Sequence, residues 1–268
     1  MKQKKSSIII TAENKENTIF HTVKSCLNQD YKNIEIFVIY SNLKNEKNLK
    51  NRFKTKKVFF IKVKKLKNNI HDQIQKIKSV LPKIKGEMIF LLDGDDSFNK
   101  IKIRTINNSI YKINKLMILD NHLIFNNEKN SFKNNTEFEM NYLYKLLINP
   151  WPKKICTSSI SINKKLLINF FKEIKYKKFN HLAIDALLVL YSYQKNLLAF
   201  ENKILTNKRD EKNSVDKKYL GFFNLNYWER RFEQHKFFQS LDEKFYLNLD
   251  YIFTLIFYYP AKTFSKIL

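Results

Sequence analysis

Four short apolar runs, at residues 7–11, 34–40, 58–63 and 88–92, most constrain what this 268-residue chain can fold into. The first places Ile8, Ile9 and Ile10 in succession, β-branched residues that suit a strand buried on both faces. The stretches between the runs carry a helical period instead. Ile19, Phe20, Val23, Cys26 and Leu27 recur at helical spacing with Asn14 available as a cap, and Ile70, Ile74, Ile77 and Leu81 make one stripe that Pro82 closes. Strands alternating with helices predict a parallel sheet with right-handed crossovers. Ligands of such sheets bind beyond the carboxyl ends of the strands.

The fourth run, Met88 to Leu92, ends in Asp93-Gly94-Asp95-Asp96. Two residues apart on an extended segment, Asp93 and Asp95 can point the same way, and Gly94 allows a sharp turn between them. Mg²⁺ and Mn²⁺ are hard ions that accept one or two protein carboxylates and complete their shells with water and phosphate oxygens. The same residues also suit a hairpin turn or a helix cap. A calcium loop is excluded, because Phe98 stands where that loop needs Gly. The position at a strand's carboxyl end favours a metal-phosphate site.

Past this point strands are predicted at 115–120, 122–125, 156–162 and 198–205. Helices are predicted at 137–148, 164–171 and 182–193, the last carrying the solitary acid Asp185. From Tyr219 the chain is aromatic and reads as two helical segments broken near Leu247. The net charge of +25 invites a polyanion, but nearly all of it is Lys accompanied by Asn and Ile, with Arg at positions 52, 104, 209, 230 and 231. Phosphate and base recognition more often enrich Arg for its bidentate fork. No zinc spacing or RNA-recognition aromatic motif accompanies the charge, so no nucleic-acid partner is expected. Cys26 and Cys156 suggest no disulfide framework and fit a reducing, cytoplasmic compartment. The start is too short in apolar residues for a signal peptide, and no run reaches the length of a spanning helix.

Several blocks in order resemble the GT-A-fold glycosyltransferases of the family 2 type. Ser7-Ile8-Ile9-Ile10 and Asn14, then residues 22–31, resemble that family's opening strand and helix. Gly86-Glu87 leading to Asp93-Gly94-Asp95-Asp96 resembles its Gly-Glu and Asp-x-Asp-Asp block, and Thr157-Ser158-Ser159 with Asn163 to Leu167 the segment that follows. Asp185 matches the acid these enzymes use as catalytic base, and Arg209 with Ser214 a basic loop that closes over the donor. The chain departs from the pattern at the nucleotide-base end: Thr11 and Glu13 replace Pro and an aromatic residue, Tyr40 and Ser41 replace the paired acids after the second strand, Ile77 and Lys78 replace an Arg-Asn pair, and Ile184 replaces a Glu.

The resemblance implies an α/β fold of the GT-A type, a Rossmann-like mostly parallel sheet flanked by helices. It implies a transferase domain at 1–215 and a helical extension at 216–268. The implied reaction moves a sugar from a nucleotide-diphosphate donor to a hydroxyl of a glycan or lipid-linked acceptor in cell-surface polysaccharide synthesis, with inversion. The implied roles are Asp185 as base, Asp93 and Asp95 as ligands of Mn²⁺ or Mg²⁺, and Thr11, Ala12, Glu13, Asn14, Asp93, Gly94 and Arg209 as donor contacts. His181 is a candidate to tune Asp185, and Trp151 to stack on an acceptor sugar. The aromatic extension with its lysines suits peripheral docking on an anionic membrane at the inner face of the cell. The altered base end leaves a non-catalytic transferase-like subunit as the alternative, with a nucleic-acid-binding protein as the weaker one.

Overall fold

The computed structural model describes residues 4–44, 46–55, 57–126, 129–134, 155–210, 218–241 and 249–264. Its first half is the predicted alternation: β1 (Ser6–Ala12), α1 (Ile19–Leu27), β2 (Ile34–Tyr40), α2 (Glu46–Arg52), β3 (Val58–Lys62), α3 (Asn69–Val80) and β4 (Met88–Asp93). β3, β2, β1 and β4 lie side by side and parallel. The second half adds β5 (Ser97–Phe98), α4 (Lys102–Ile113), β6 (Met117–Asn126), β7 (Lys129–Asn134), β8 (Ile160–Asn163), α5 (Lys164–Glu173), α6 (Ile184–Gln194), β9 (Leu198–Arg209), α7 (Leu225–Leu241) and α8 (Leu249–Phe264).

The sheet runs β3-β2-β1-β4-β8-β6-β9-β5, with β7 on β6. β8 is antiparallel to both β4 and β6, while β6 and β9 are parallel to each other. Alternation along each strand divides the core. Ile9, Phe37, Ile39, Ile89 and Leu91 face the layer of α3, α5 and α6. Ile8, Ile10, Ile36, Val38, Phe90 and Leu92 face the layer of α1 and α4. Each fully buried Ile of these layers stabilises the fold by roughly 1.5–3 kcal/mol relative to exposure.

Local expectations are refined in three places. Thr18, not Asn14, precedes α1, and its own side chain makes no cap bond. Asn14 instead takes a left-handed φ of 51° and is held by Asn42, whose carbonyl accepts its N–H at 3.1 Å and whose amide donates to its side-chain oxygen at 2.9 Å. The strand expected at 156–162 begins only at Ile160, because residues 157–159 form a 3-10 turn, and the two strands expected at 115–125 are one bulged strand, β6. The helix expected at 137–148 and Trp151 lie outside the described residues.

The strands enter the core through one close crossing at the end opposite the acidic block. A Cβ on Gly86 would stand 2.3 Å from Ser7 Oγ and 2.6 Å from Ser7 N, so only Gly fits there. The buried Glu35 ties the crossing together, accepting from Ser7 Oγ at 2.7 Å and from the Lys85 and Gly86 amides at 2.6 and 3.2 Å.

Candidate active site

Asp93 closes β4 opposite Thr11 of β1, at the carboxyl edge of the parallel strands. Gly94 follows so closely that its N–H donates to Thr11 O at 2.9 Å, and an added Cβ would meet Ala12 Cβ at 3.0 Å. Gly94 has no left-handed φ. The sharp turn expected from sequence is present, closed by the Asp96 N–H on Asp93 O at 3.1 Å, but it asks for no left-handed φ, so what requires the glycine is its close approach to β1. The Gly94 carbonyl accepts the Thr18 and Thr22 hydroxyls at 2.9 and 3.0 Å, clamping the acidic block onto α1.

The three carboxylates have separate partners. Asp93 Oδ1 accepts from Gln73 Nε2 at 2.7 Å and from Thr11 Oγ1 at 3.2 Å. Asp95 Oδ2 pairs with the Lys15 ammonium at 2.7 Å. Asp96, nearly buried, accepts from Ser158 Oγ at 2.6 Å and from the Arg209 backbone N–H at 2.8 Å. Ser158 Oγ also accepts the Asp93 N–H at 3.0 Å, so one hydroxyl sets the spacing of Asp93 and Asp96. Burial, reinforced by Asp96, Asp95 and Asp185, pushes the Asp93 carboxyl well above the usual carboxylate range. Burial, with help from Asp95, pushes Asp96 up to about 7 against its Ser158 and Arg209 bonds.

Asp185 stands in the first turn of α6, accepting the Ala186 N–H at 2.7 Å. It is near enough to Asp93 to raise that carboxyl, so residues 92 positions apart in sequence share one electrostatic field. The loop before it is tied to α7: Glu233 accepts the Asn180 and His181 N–H groups at 2.8 and 2.7 Å, and Phe237 packs edge-on against Phe179. His181 Nε2 lies 3.2 Å from Glu229, and its ring packs on Tyr219. The contacts given for His181 are thus to α7 and to the segment before it.

At the base end, Glu13 accepts from Lys65 at 2.9 Å, Lys76 at 3.0 Å and the Asn42 N–H at 3.3 Å. Burial pushes its carboxyl up, but the hydrogen bonds from Lys65 and Lys76 outweigh this and hold it below the usual range. Ala12 is buried, and its carbonyl accepts from Lys76 at 3.3 Å. Arg209 reaches the acidic block through its backbone, while its guanidinium lies 5.3 Å from the Phe125 ring centre.

Among the described residues, no three His, Cys, Asp or Glu side chains converge into a ready metal cage. Asp93 and Asp95 nevertheless fit a hard divalent ion, which needs only one or two carboxylates when phosphates supply the rest. Asp93 is raised first by burial and then by its neighbouring carboxylates, and this repulsion, with the ammonium that Asp95 already holds, marks a place where positive charge is favoured. Sequence reasoning missed Gln73, Lys15 and Lys76. Gln73 falls between Ile70 and Ile77 on the stripe of α3, and the i,i+4 pair Asp72–Lys76 was readable on the same helix. Lys15 gave no signal among so many lysines.

The sequence matches Glycosyl transferase family 2 over residues 7–173. Among solved structures, S. aureus TarS 1–349 in complex with UDP-GlcNAc superposes with a TM-score of 0.60 at 14% identity, covering 89% of this chain and 71% of that one. Another TarS structure superposes at 0.59 and 16% identity, and there the match covers 87% of this chain but only 39% of that one. The mannosyltransferase PcManGT from Pyrobaculum calidifontis, in complex with GDP-Man and Mn²⁺, superposes at 0.61 and 10% identity, covering 97% of this chain and 69% of that one. No curated protein matches the sequence. The matched segment runs from β1 to the end of α5, and the sheet is assembled as in these transferases: the chain has the GT-A fold and belongs to glycosyl transferase family 2.

Proposed function

We propose that the protein moves a sugar from a nucleotide-diphosphate donor onto a hydroxyl of a glycan or lipid-linked acceptor of cell-surface polysaccharide synthesis, inverting the anomeric carbon. The observation that carries this is that Asp185, in the first turn of α6, lies near enough to act on the Asp93 carboxyl at the carboxyl edge of the sheet. Asp93 and Asp95 would hold Mn²⁺ or Mg²⁺, an ion that neutralises the charge gathering on a departing diphosphate. Asp185 accepts the proton of the attacking hydroxyl. Thr11, Ala12, Glu13, Asn14 and Gly94 line the donor side, and Arg209 closes the far wall. Glu13 puts an acid beside the end of β2, where Tyr40 and Ser41 leave none, so the base end retains a hydrogen-bond acceptor. Two neighbours were solved with UDP-GlcNAc and with GDP-Man, which supports a nucleotide sugar without choosing the base.

Calorimetry with a panel of nucleotide sugars and Mn²⁺ tests this reading. One donor binds, and Asp95→Ala weakens it by at least roughly tenfold, the scale on which metal-site residues act. Binding unchanged in Asp95→Ala removes the proposed metal ligand.

The extension suits an anionic membrane surface at the inner face of the cell. No helix among the described residues is long and apolar enough to cross a membrane. α8 nevertheless exposes Leu249, Phe253, Ile256 and Tyr259 along one face, and Phe223 before α7 is 98% exposed. α7 packs into the core through Phe237, so deleting the extension would unsettle the fold, and point changes are the cleaner test. Phe223→Ser with Ile256→Ser lowers co-sedimentation with vesicles containing anionic lipid by roughly tenfold or more. Undiminished sedimentation removes this surface from membrane binding.

A further inference from the structure

We propose that Lys15 is an internal counter-ion of the donor site: it occupies Asp95 when the site is empty, competes there with the divalent ion, and turns to the diphosphate once that ion has taken Asp95. The inference rests on the donor reading above and adds a residue that the family resemblance does not supply.

The backbone carrying Lys15 is fixed. Asn14 is held in its left-handed conformation by Asn42, the Lys15 carbonyl accepts the Thr18 and Ile19 N–H groups at 3.1 and 2.9 Å, and Thr18 Oγ1 is bound to the Gly94 carbonyl. Loop and acidic block are therefore tied together, and the rotatable bonds of the four-carbon Lys15 side chain are what would let its ammonium change partner. Its ammonium is 2.7 Å from Asp95 Oδ2, with side-chain exposures of 22% and 11%, so the pair borders solvent rather than lying in the core. An exchange there exposes no buried charge.

Charge balance says why a cation belongs at this point. Asp93, Asp95, Asp96 and Asp185 share one field. Lys102 is turned away into a buried pair with Asp120, Lys208 acts on Asp96, and Lys15 is bound to the block's central carboxylate. A divalent ion entering with two diphosphate charges would take Asp95 in its place. The displaced ammonium then stands beside those new anions, and a lysine serves phosphate as a mobile point charge.

The test uses the full chain with Lys15→Met, which keeps the stem and deletes the charge. A pair this near solvent contributes little stability, so the melting temperature stays within a few degrees. Without nucleotide, Mn²⁺ titrated by calorimetry or paramagnetic resonance binds roughly three- to tenfold more tightly to the variant, because its competitor is gone. With saturating Mn²⁺, UDP and GDP serve as probes, and whichever binds the wild type binds the variant more weakly. Lys15→Arg restores both behaviours in part. Equal Mn²⁺ affinity in wild type and Lys15→Met overturns the competition while leaving the metal reading standing. Absence of Mn²⁺ binding in both overturns the two together. Diphosphate affinity unchanged in Lys15→Met overturns the second half of the proposal.

Discussion

Lys102→Met lowers the free energy of unfolding by about 3–5 kcal/mol, the cost of leaving one partner of a buried ion pair uncompensated. Lys102 and Asp120 are both fully buried, and Nζ lies 2.5 Å from Oδ1. The three ammonium protons all have acceptors: Asp120, the Ser158 carbonyl at 2.8 Å and Thr206 Oγ1 at 2.7 Å. The charge also lies 4.3 Å from the Phe98 ring centre. Burial raises the Asp120 carboxyl even with Lys102 beside it, so once the ammonium is gone that side chain takes up a proton or a share of water. Thr206 Oγ1 still donates to Asp120 at 2.6 Å, which is too little to hold a lone carboxylate.

Chemical denaturation of Lys102→Met, Asp120→Leu and the double variant separates pairing from packing. The double variant recovers most of the loss, since similar-sized apolar side chains replace a desolvated pair at little net cost. A loss in Lys102→Met below about 1 kcal/mol, the scale of a solvated pair, would contradict the buried-pair account. Activity should respond beyond stability. Lys102 fixes the carbonyl of the same Ser158 whose hydroxyl spaces Asp93 and Asp96, so the double variant folds yet presents its acidic block loosely.

This network shows where sequence reading stops. The parallel core was legible because β-branched runs and a 3.6-residue stripe are local signals. Asp93 and Asp95 stood out by their place at the carboxyl end of a strand and Asp185 through a resemblance carried by its surroundings, and the structure puts the three in one electrostatic field. Lys102 had one local clue, its place four residues before Ile106 on the buried side of α4. Its partners Asp120, Ser158 and Thr206 lie on three other elements and follow only from strand order. Pairing of β6 with both β8 and β9 is a long-range choice that no window of sequence contains. The coupling of Lys15 to Asp95 was hidden for a different reason: in a chain this rich in lysine, one more basic residue carries no information until geometry singles it out.

Asp185→Asn lowers kcat for sugar transfer by about 10²–10⁴-fold while leaving donor binding intact, as expected when a positioned proton acceptor is neutralised. The substitution is nearly isosteric. The amide oxygen can still accept the Ala186 N–H, and the loop before it remains anchored by Glu233, so the fold has no reason to change. The helix start is suited to an ionised side chain, because Ala183 offers no side-chain cap and the carboxylate faces the positive end of the α6 dipole. Neutralising it also removes one of the charges that raise Asp93, which lets that carboxyl ionise more readily. Asp185 also contributes to the field that attracts the cation, so the two effects oppose each other and metal and diphosphate affinity should change little even as turnover collapses. That split in kcat and KM separates a base from a residue that merely shapes the donor pocket, whose loss would raise KM. Transfer within about threefold of wild type in Asp185→Asn would strip Asp185 of its role, since a general base supplies far more than that.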